Sequence, residues 1–134
     1  MKANVLFVFT LFLLVSFCER EEHVKSDRDF ANQTFVYKYF KTEKECMDSQ
    51  TSDFFINCHA QINFLDHGEA EIMVSDIIWR GEYNVIKNSI VLTFPNNFEL
   101  PDETLVFKIL NNKKLKRVDN HTIWEKFNGN SIWD

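Results

Sequence analysis

The sequence predicts an all-β fold: about eight antiparallel strands in an up-and-down meander that closes into a small barrel, with one short helix near residues 42–49. Three observations predict it. Apolar and polar residues alternate with a period of two in several separate runs. Turn-forming residues separate those runs at short intervals. The chain has 14 Phe but only 3 Gly and 2 Pro in 134 residues, and its Phe, Ile, Val and Tyr fit a pleated, half-buried surface. Closure follows because an open meander of this size leaves unpaired backbone along its edges, and joining the first strand to the last removes them.

The opening strand covers residues 33–40. Residues 42–49 then read as a helix, since Thr42 can cap it, Glu45 stands three positions on as in a capping box, and Cys46 faces back toward the sheet. The longest alternation spans residues 54–64. Phe54, Ile56, Cys58, Ala60, Ile62 and Phe64 fall on one side, and Phe55, Asn57, His59, Gln61 and Asn63 on the other. This predicts a strand over the whole run with the first set buried. Asp66-His67-Gly68 turns the chain, with Gly68 supplying the positive φ of a tight hairpin.

The next strand, residues 70–78, places Ile72, Val74 and Ile78 on one side, with Asp76 the exception. Gly81 predicts a break or bulge before the strand 83–86. Lys87-Asn88 is a two-residue turn, and Ile90, Leu92 and Phe94 alternate with Val91 and Thr93. A longer loop over residues 95–102 leads to Leu105, Phe107 and Ile109, and Asn111-Asn112 turns the chain again. The last hairpin joins residues 114–118 to 122–127 around Asp119-Asn120, with Ile123 and Phe127 on one face and Trp124 on the other.

The N-terminal segment concerns address rather than fold. Lys2 precedes a run from Val5 to Val15 that is apolar but for Thr10, followed by Ser16, Phe17 and Cys18. Residues 1–17 therefore read as a secretory signal peptide, too short to span a bilayer stably. Leu14-Val15-Ser16-Phe17-Cys18 resembles the lipobox of bacterial lipoproteins, in which the cysteine is diacylated and becomes the mature N-terminus; Phe17 stands where Gly, Ala or Ser is usual. The resemblance implies a lipid anchor at Cys18, a membrane as partner and a place in the cell envelope, on the outer membrane. An ordinary secretory signal cut nearby is the alternative.

With Cys18 acylated, Cys46 and Cys58 remain as an even pair in an oxidising compartment, where a disulfide persists; two free cysteines are the other reading. Loss of the signal removes Lys2 and moves the formal charge from −5 to −6. That balance argues against nucleic acid as a partner, which requires a clustered basic surface. Residues 18–29 carry Glu19, Glu21 and Glu22 and a single aliphatic residue, Val24, and read as a flexible acidic tether. Acidic residues after the acylated cysteine are similar to the export signal that sends some lipoproteins to the outer surface; a plain polar linker explains them equally. Residues 30–134 form one domain.

The run Trp79-Arg80-Gly81-Glu82-Tyr83-Asn84-Val85, then Asn88 to Phe94, Leu115 to Asn120 and Ile123-Trp124, resembles small bacterial lipocalin-like envelope lipoproteins with a "G-x-Y … I-x-L-T … L … W" pattern. The resemblance covers about half of the mature chain. It implies a lipocalin-like barrel that binds a small apolar ligand or an envelope partner. The Gly-x-Trp motif of true lipocalins is missing, so a ligand cavity does not carry over.

Candidate sites follow from residue type. Tyr37, Tyr39, Trp79, Tyr83 and Trp124 can stack on an apolar ligand or fill a barrel. Tyr37, Tyr83 and Trp124 are the expected ligand contacts, with Tyr37 near Trp124 if the end strands pair. The row Asn57, His59, Gln61 and Asn63 is a recognition strip or a solvated sheet face. The four histidines lack metal-ligand spacing. No nucleophile elbow or phosphate loop is present, so neither an enzyme nor a cofactor is expected. The alternative to a ligand-binding barrel is a solid one acting as a structural or inhibitor-type interaction protein. Asn32-Gln33-Thr34 and Asn120-His121-Thr122 match the glycosylation sequon, which leaves a secreted glycoprotein open as a different address.

Overall fold

The computed structural model describes residues 25–100 and 103–134; the signal segment, Cys18 and residues 19–24 of the tether lie outside the described residues. The chain forms a closed barrel of eight antiparallel strands in sequence order: β1 (Gln33–Lys38), β2 (His59–Phe64), β3 (Glu69–Met73), β4 (Ile78–Ile86), β5 (Ser89–Thr93), β6 (Thr104–Ile109), β7 (Lys114–Arg117) and β8 (Ile123–Phe127). Each strand pairs with the next. β1 also pairs with β8, Thr34 opposite Phe127 and Val36 opposite Glu125, so every strand has two neighbours and no edge is left open.

The register carries the alternation around the barrel. Phe35 lies opposite Ile62, Ile62 opposite Ile72, and Ile72 opposite Trp79, so one inward layer is continuous across four strands. On the far side Tyr83 faces Leu92, Leu92 faces Leu105, and Leu115 faces Trp124. All but Trp79, which is half-buried, belong to one buried cluster. Aromatic rings span the interior: Phe64 lies 5.8 Å from Phe30, 5.8 Å from Phe35 and 4.9 Å from Tyr83, and Phe107 meets Trp124 edge-on at 5.5 Å. These separations are those of rings in contact, and each fully buried side chain of this size contributes about 1.5–3 kcal/mol.

One end of the barrel is closed by the N-terminal segment. Asp27–Asp29 is a 3-10 turn capped by Ser26, whose backbone N–H donates to Asp29 at 2.7 Å. The Tyr83 hydroxyl donates to the Asp27 carbonyl at 2.9 Å, the Val85 N–H donates to the Asp27 carboxylate at 2.6 Å, and Phe30 enters the core. The sequence reading carries the tether to Asp29, whereas residues 27–29 are fixed to the barrel by these bonds.

Three elements differ from the periodicity reading. The strand expected over residues 54–64 starts at His59, because β1, its partner, ends at Lys38 and the backbone pairing runs only one bond further, from the Tyr39 N–H to the Cys58 carbonyl at 2.9 Å. Phe54 and Phe55 are therefore loop residues. The strand expected over 70–78 ends at Met73; residues 74–77 form a tight connection, and Ile78 opens β4 opposite Met73 with its side chain exposed.

Gly81 is neither break nor bulge. It lies within β4 opposite Ala70, and a Cβ there would stand 2.0 Å from the Thr93 carbonyl oxygen and 2.7 Å from the Phe94 ring. Only glycine permits that approach of two strands. Strand ends at Lys38, Arg117 and Ile123 fall one or two residues inside the expected limits.

The short helix α1 (Glu43–Asp48) forms as expected, with Thr42 accepting from the Glu45 N–H at 3.2 Å. The Glu45 carboxylate reaches back to the Lys41 N–H at 2.9 Å, one residue ahead of the cap.

Candidate functional site

The two ends of the barrel are built differently. Tight turns close the end that holds the N-terminal plug, whereas the opposite end carries the long connections, residues 39–58 and the one that begins at residues 94–100, with the shorter 74–77 and 118–122. Loops held by a rigid scaffold are where proteins concentrate binding residues.

The largest of these loops is held internally. Cys46 and Cys58 are disulfide-bonded, twelve positions apart, with Cα atoms 5.6 Å from each other, as the cysteine count predicts. Inside that ring the Gln50 side chain clamps Ile56: its amide donates to the Ile56 carbonyl at 2.9 Å and its oxygen accepts from the Ile56 N–H at 2.8 Å. Thr51 closes a tight turn by accepting from the Phe54 N–H through its hydroxyl at 3.1 Å, while its own N–H donates to the Phe54 carbonyl. The turn presents Phe54 and Phe55 to solvent, 74% and 83% exposed.

The second long loop folds over the barrel mouth. Leu100 is buried as its anchor, Asn97 accepts from the Leu100 N–H at 2.9 Å, and Phe98 stands 77% exposed with its ring edge-on to Trp79 at 4.8 Å. Glu99 accepts from the Trp79 indole and the Ser75 hydroxyl. The Tyr39 hydroxyl donates to the Val74 carbonyl at 3.0 Å and the Asn57 amide donates to the Ser75 carbonyl. Hydrogen bonds thus tie three connections into one surface.

Beneath them lies a charged pair. Arg117, at the inner end of β7, is buried and donates two 2.7 Å bonds to the Asp119 carboxylate, from Nε and Nη2. Burial pushes the Asp119 carboxyl up, but the hydrogen bonds and charge of Arg117 outweigh it and hold the group below its ordinary value. Burial, followed by the nearby Tyr37, raises Tyr39, and burial lowers His59 against a smaller opposing effect of Gln61.

The aromatic residues named from sequence do not share one place. Tyr37 and Trp124 are neighbours, ring centroids 5.9 Å apart, because β1 and β8 pair. Trp124 is fully buried and donates to the Thr122 hydroxyl at 3.1 Å. Tyr83 lies at the plugged end, where burial, then the charges of Asp27 and Asp66, push its hydroxyl up to about 12. The row His59, Gln61 and Asn63 faces outward, and Gln61 and Thr34 both donate to the Asn63 side chain on the outer wall. Asp76 sits exposed in the 74–77 connection.

Clefts open on the outside of the barrel. One is lined by Glu71, Arg80, Glu82 and Thr93, another by Asp27, Arg28, Asp66 and His67 beside the plug. Among the described residues no group of three or more His, Cys, Asp or Glu side chains is placed to hold a metal ion.

Sequence reasoning missed Phe54, Phe55, Phe98 and Arg117 as features of this end. For the phenylalanine pair a signal existed: Phe55 falls on the polar side of the alternation, and Thr51-Ser52-Asp53 before it are turn formers. No family model matches the chain, and comparison with curated proteins and with solved structures finds no match either.

Proposed function

We propose that the chain is a non-enzymatic cell-envelope lipoprotein whose filled barrel is a scaffold for protein interaction. The observation that carries this reading is the interior itself: ring against ring from Phe30 through Phe64 to Tyr83 at one end, and Phe107, Trp124 and Tyr37 toward the other. A ligand-binding site of ordinary size needs about 300 Å³ or more, and of the clefts described above one lies on the wall formed by β3 to β5 and the other beside the plug, with Tyr83 in its lining. The disulfide supports an oxidising compartment. Anchoring rests on Cys18, where two acyl chains would hold the protein stably to a membrane.

A second reading is a small apolar ligand seated at the mouth, favoured by Tyr37, which is half-buried and lies between Tyr39 at 5.6 Å and Trp124 at 5.9 Å. Tryptophan fluorescence during titration with fatty acids, haem-like compounds and short glycans separates the two. The scaffold reading expects no spectral change; saturable quenching would favour the mouth ligand. The anchor is tested by mass spectrometry of the mature N-terminus and by Cys18→Ser, which should release a folded protein from membranes. An unacylated N-terminus in the native protein would end the lipoprotein proposal.

A further inference from the structure

We propose that the loop end of the barrel is the docking surface of this scaffold, and that its partner is a protein face combining basic side chains with an apolar groove, into which Phe54 and Phe55 insert. The inference rests on the scaffold reading above and adds the place and chemistry of the contact.

Exposed large apolar side chains are unevenly distributed. Met47, Phe54, Phe55, Ile77, Ile78 and Phe98 all belong to the loop end, against Ile86 and Leu110 at the plugged end, among the described residues. Scattered exposed apolar residues need no explanation, but their collection on one face marks an interaction site.

Rigidity argues for a protein groove. The phenylalanine pair sits in a ring closed by the disulfide, clamped by Gln50 and turned by Thr51. Holding aromatic anchors in place before contact reduces the ordering cost of a specific complex.

Charge then selects the partner. Glu43, Asp48, Asp53 and Asp76 are exposed on the same connections as the apolar residues, with Lys41 and Lys44 as the basic side chains of those loops and Lys44 bound to Asp48. The plugged end is mixed instead, with Lys25, Arg28, Lys87, Lys113 and Lys126 alongside Asp27, Asp29, Asp66 and Glu69. An acidic rim repels anionic lipid and a second acidic rim, and attracts a basic protein surface.

Chain length supports the same orientation. Lys25 stacks on Phe30 at the plugged end, and seven residue steps separate it from Cys18. At most about 3.5 Å per residue, an anchor at Cys18 keeps that end within about 25 Å of the membrane, and the loop end is the one opposite the tether.

The test uses the mature chain and two fluorescent amphipathic peptides, one of leucine and lysine and one with glutamate replacing lysine, followed by anisotropy. The lysine peptide should bind, more weakly as salt rises, and the glutamate peptide should not. Phe54→Ser/Phe55→Ser, at exposed positions that leave the barrel core intact, should weaken binding by about tenfold or more, the behaviour of anchor residues, and Ile86→Ser should not. Reduction of the disulfide should weaken binding while far-UV circular dichroism stays unchanged.

Equal binding of both peptides, or binding that ignores the double substitution, would overturn the proposal. So would co-sedimentation with phosphatidylglycerol–phosphatidylethanolamine vesicles, or a concentration-dependent dimer in sedimentation velocity, if either were abolished by that substitution. These failures would leave the scaffold reading standing as long as the ligand titration stays silent.

Discussion

At the scale of single residues, polar groups in this barrel are placed where the apolar interior ends. Tyr83 buries its ring against Phe64 and donates its hydroxyl to the carbonyls of Asp27 and Leu65 at 2.9 and 3.3 Å. Burial and the adjacent carboxylates raise its pKa from 10.0 to about 12. The sign follows from linkage: a raised phenol means that the unfolded chain ionises first, so this contribution is full below pH about 10 and is lost as pH rises toward about 12. Tyr83→Phe should cost about 1 kcal/mol at neutral pH through the lost hydrogen bonds. It should also flatten the alkaline loss of stability between those limits, as urea denaturation across pH would show. The raised pKa of the more exposed Tyr39 leaves a residual alkaline slope. An unchanged profile in the variant would mean that Tyr83 is not the group titrating.

Gly81 makes a related point about legibility. Its presence is visible in sequence, but the reason for it is a backbone carbonyl from β5 that would lie 2.0 Å from a Cβ. A bulge and a close approach are both glycine-tolerant solutions, and one residue type cannot distinguish them. Arg117 was overlooked for another reason: two positions after Leu115 it shares the inward face by alternation, but a charge is not expected there, and only the structure shows the exposed Asp119 meeting its guanidinium.

At the scale of elements, the loop over residues 39–58 is the part whose structure depends most on covalent closure. β1 and β2 are joined by six residue pairs that do not need the disulfide, whereas the Thr51–Phe54 turn beyond them has no strand partner. Cys46→Ser/Cys58→Ser should therefore lower stability by about 3 kcal/mol, in the chain-entropy account of a short loop, with the barrel still folded. Limited proteolysis should cut the variant within residues 51–56 faster than the native protein, while far-UV circular dichroism remains that of a β-barrel. Loss of the β-signal under native conditions would show instead that the bridge is needed for the barrel itself.

The same loop shows why periodicity overran the strand. Six apolar residues at alternate positions from Phe54 to Phe64 satisfy the pattern, but a strand also requires a neighbour to bond with, and β1 ends opposite His59. The pattern records what a segment can do; pairing decides how much of it does so.

At the scale of the whole molecule, closure makes the fold cooperative. Phe30 from the N-terminal segment, Phe35 and Phe64 from the first hairpin, and Trp124 from the last strand belong to one buried cluster. No strand can leave without exposing the inner faces of two others. Thermal or urea unfolding should give coincident midpoints by near-UV and far-UV circular dichroism. A separate early transition would indicate that plug or mouth unfolds independently of the barrel.

The sequence by itself determined the eight-stranded all-β meander, the capped helix before the second strand and the proximity of Tyr37 to Trp124. Alternation, turn chemistry and capping act over a few residues, and closure is the simplest way to satisfy unpaired backbone. Only the tertiary structure decided that Tyr83 lies at the opposite end from that pair, that aromatic rings meet across the interior, and that Phe54, Phe55 and Phe98 stand in solvent at one end. These depend on register and on which strand ends meet in space. A shift of one residue in pairing exchanges the inner and outer faces without altering the local pattern.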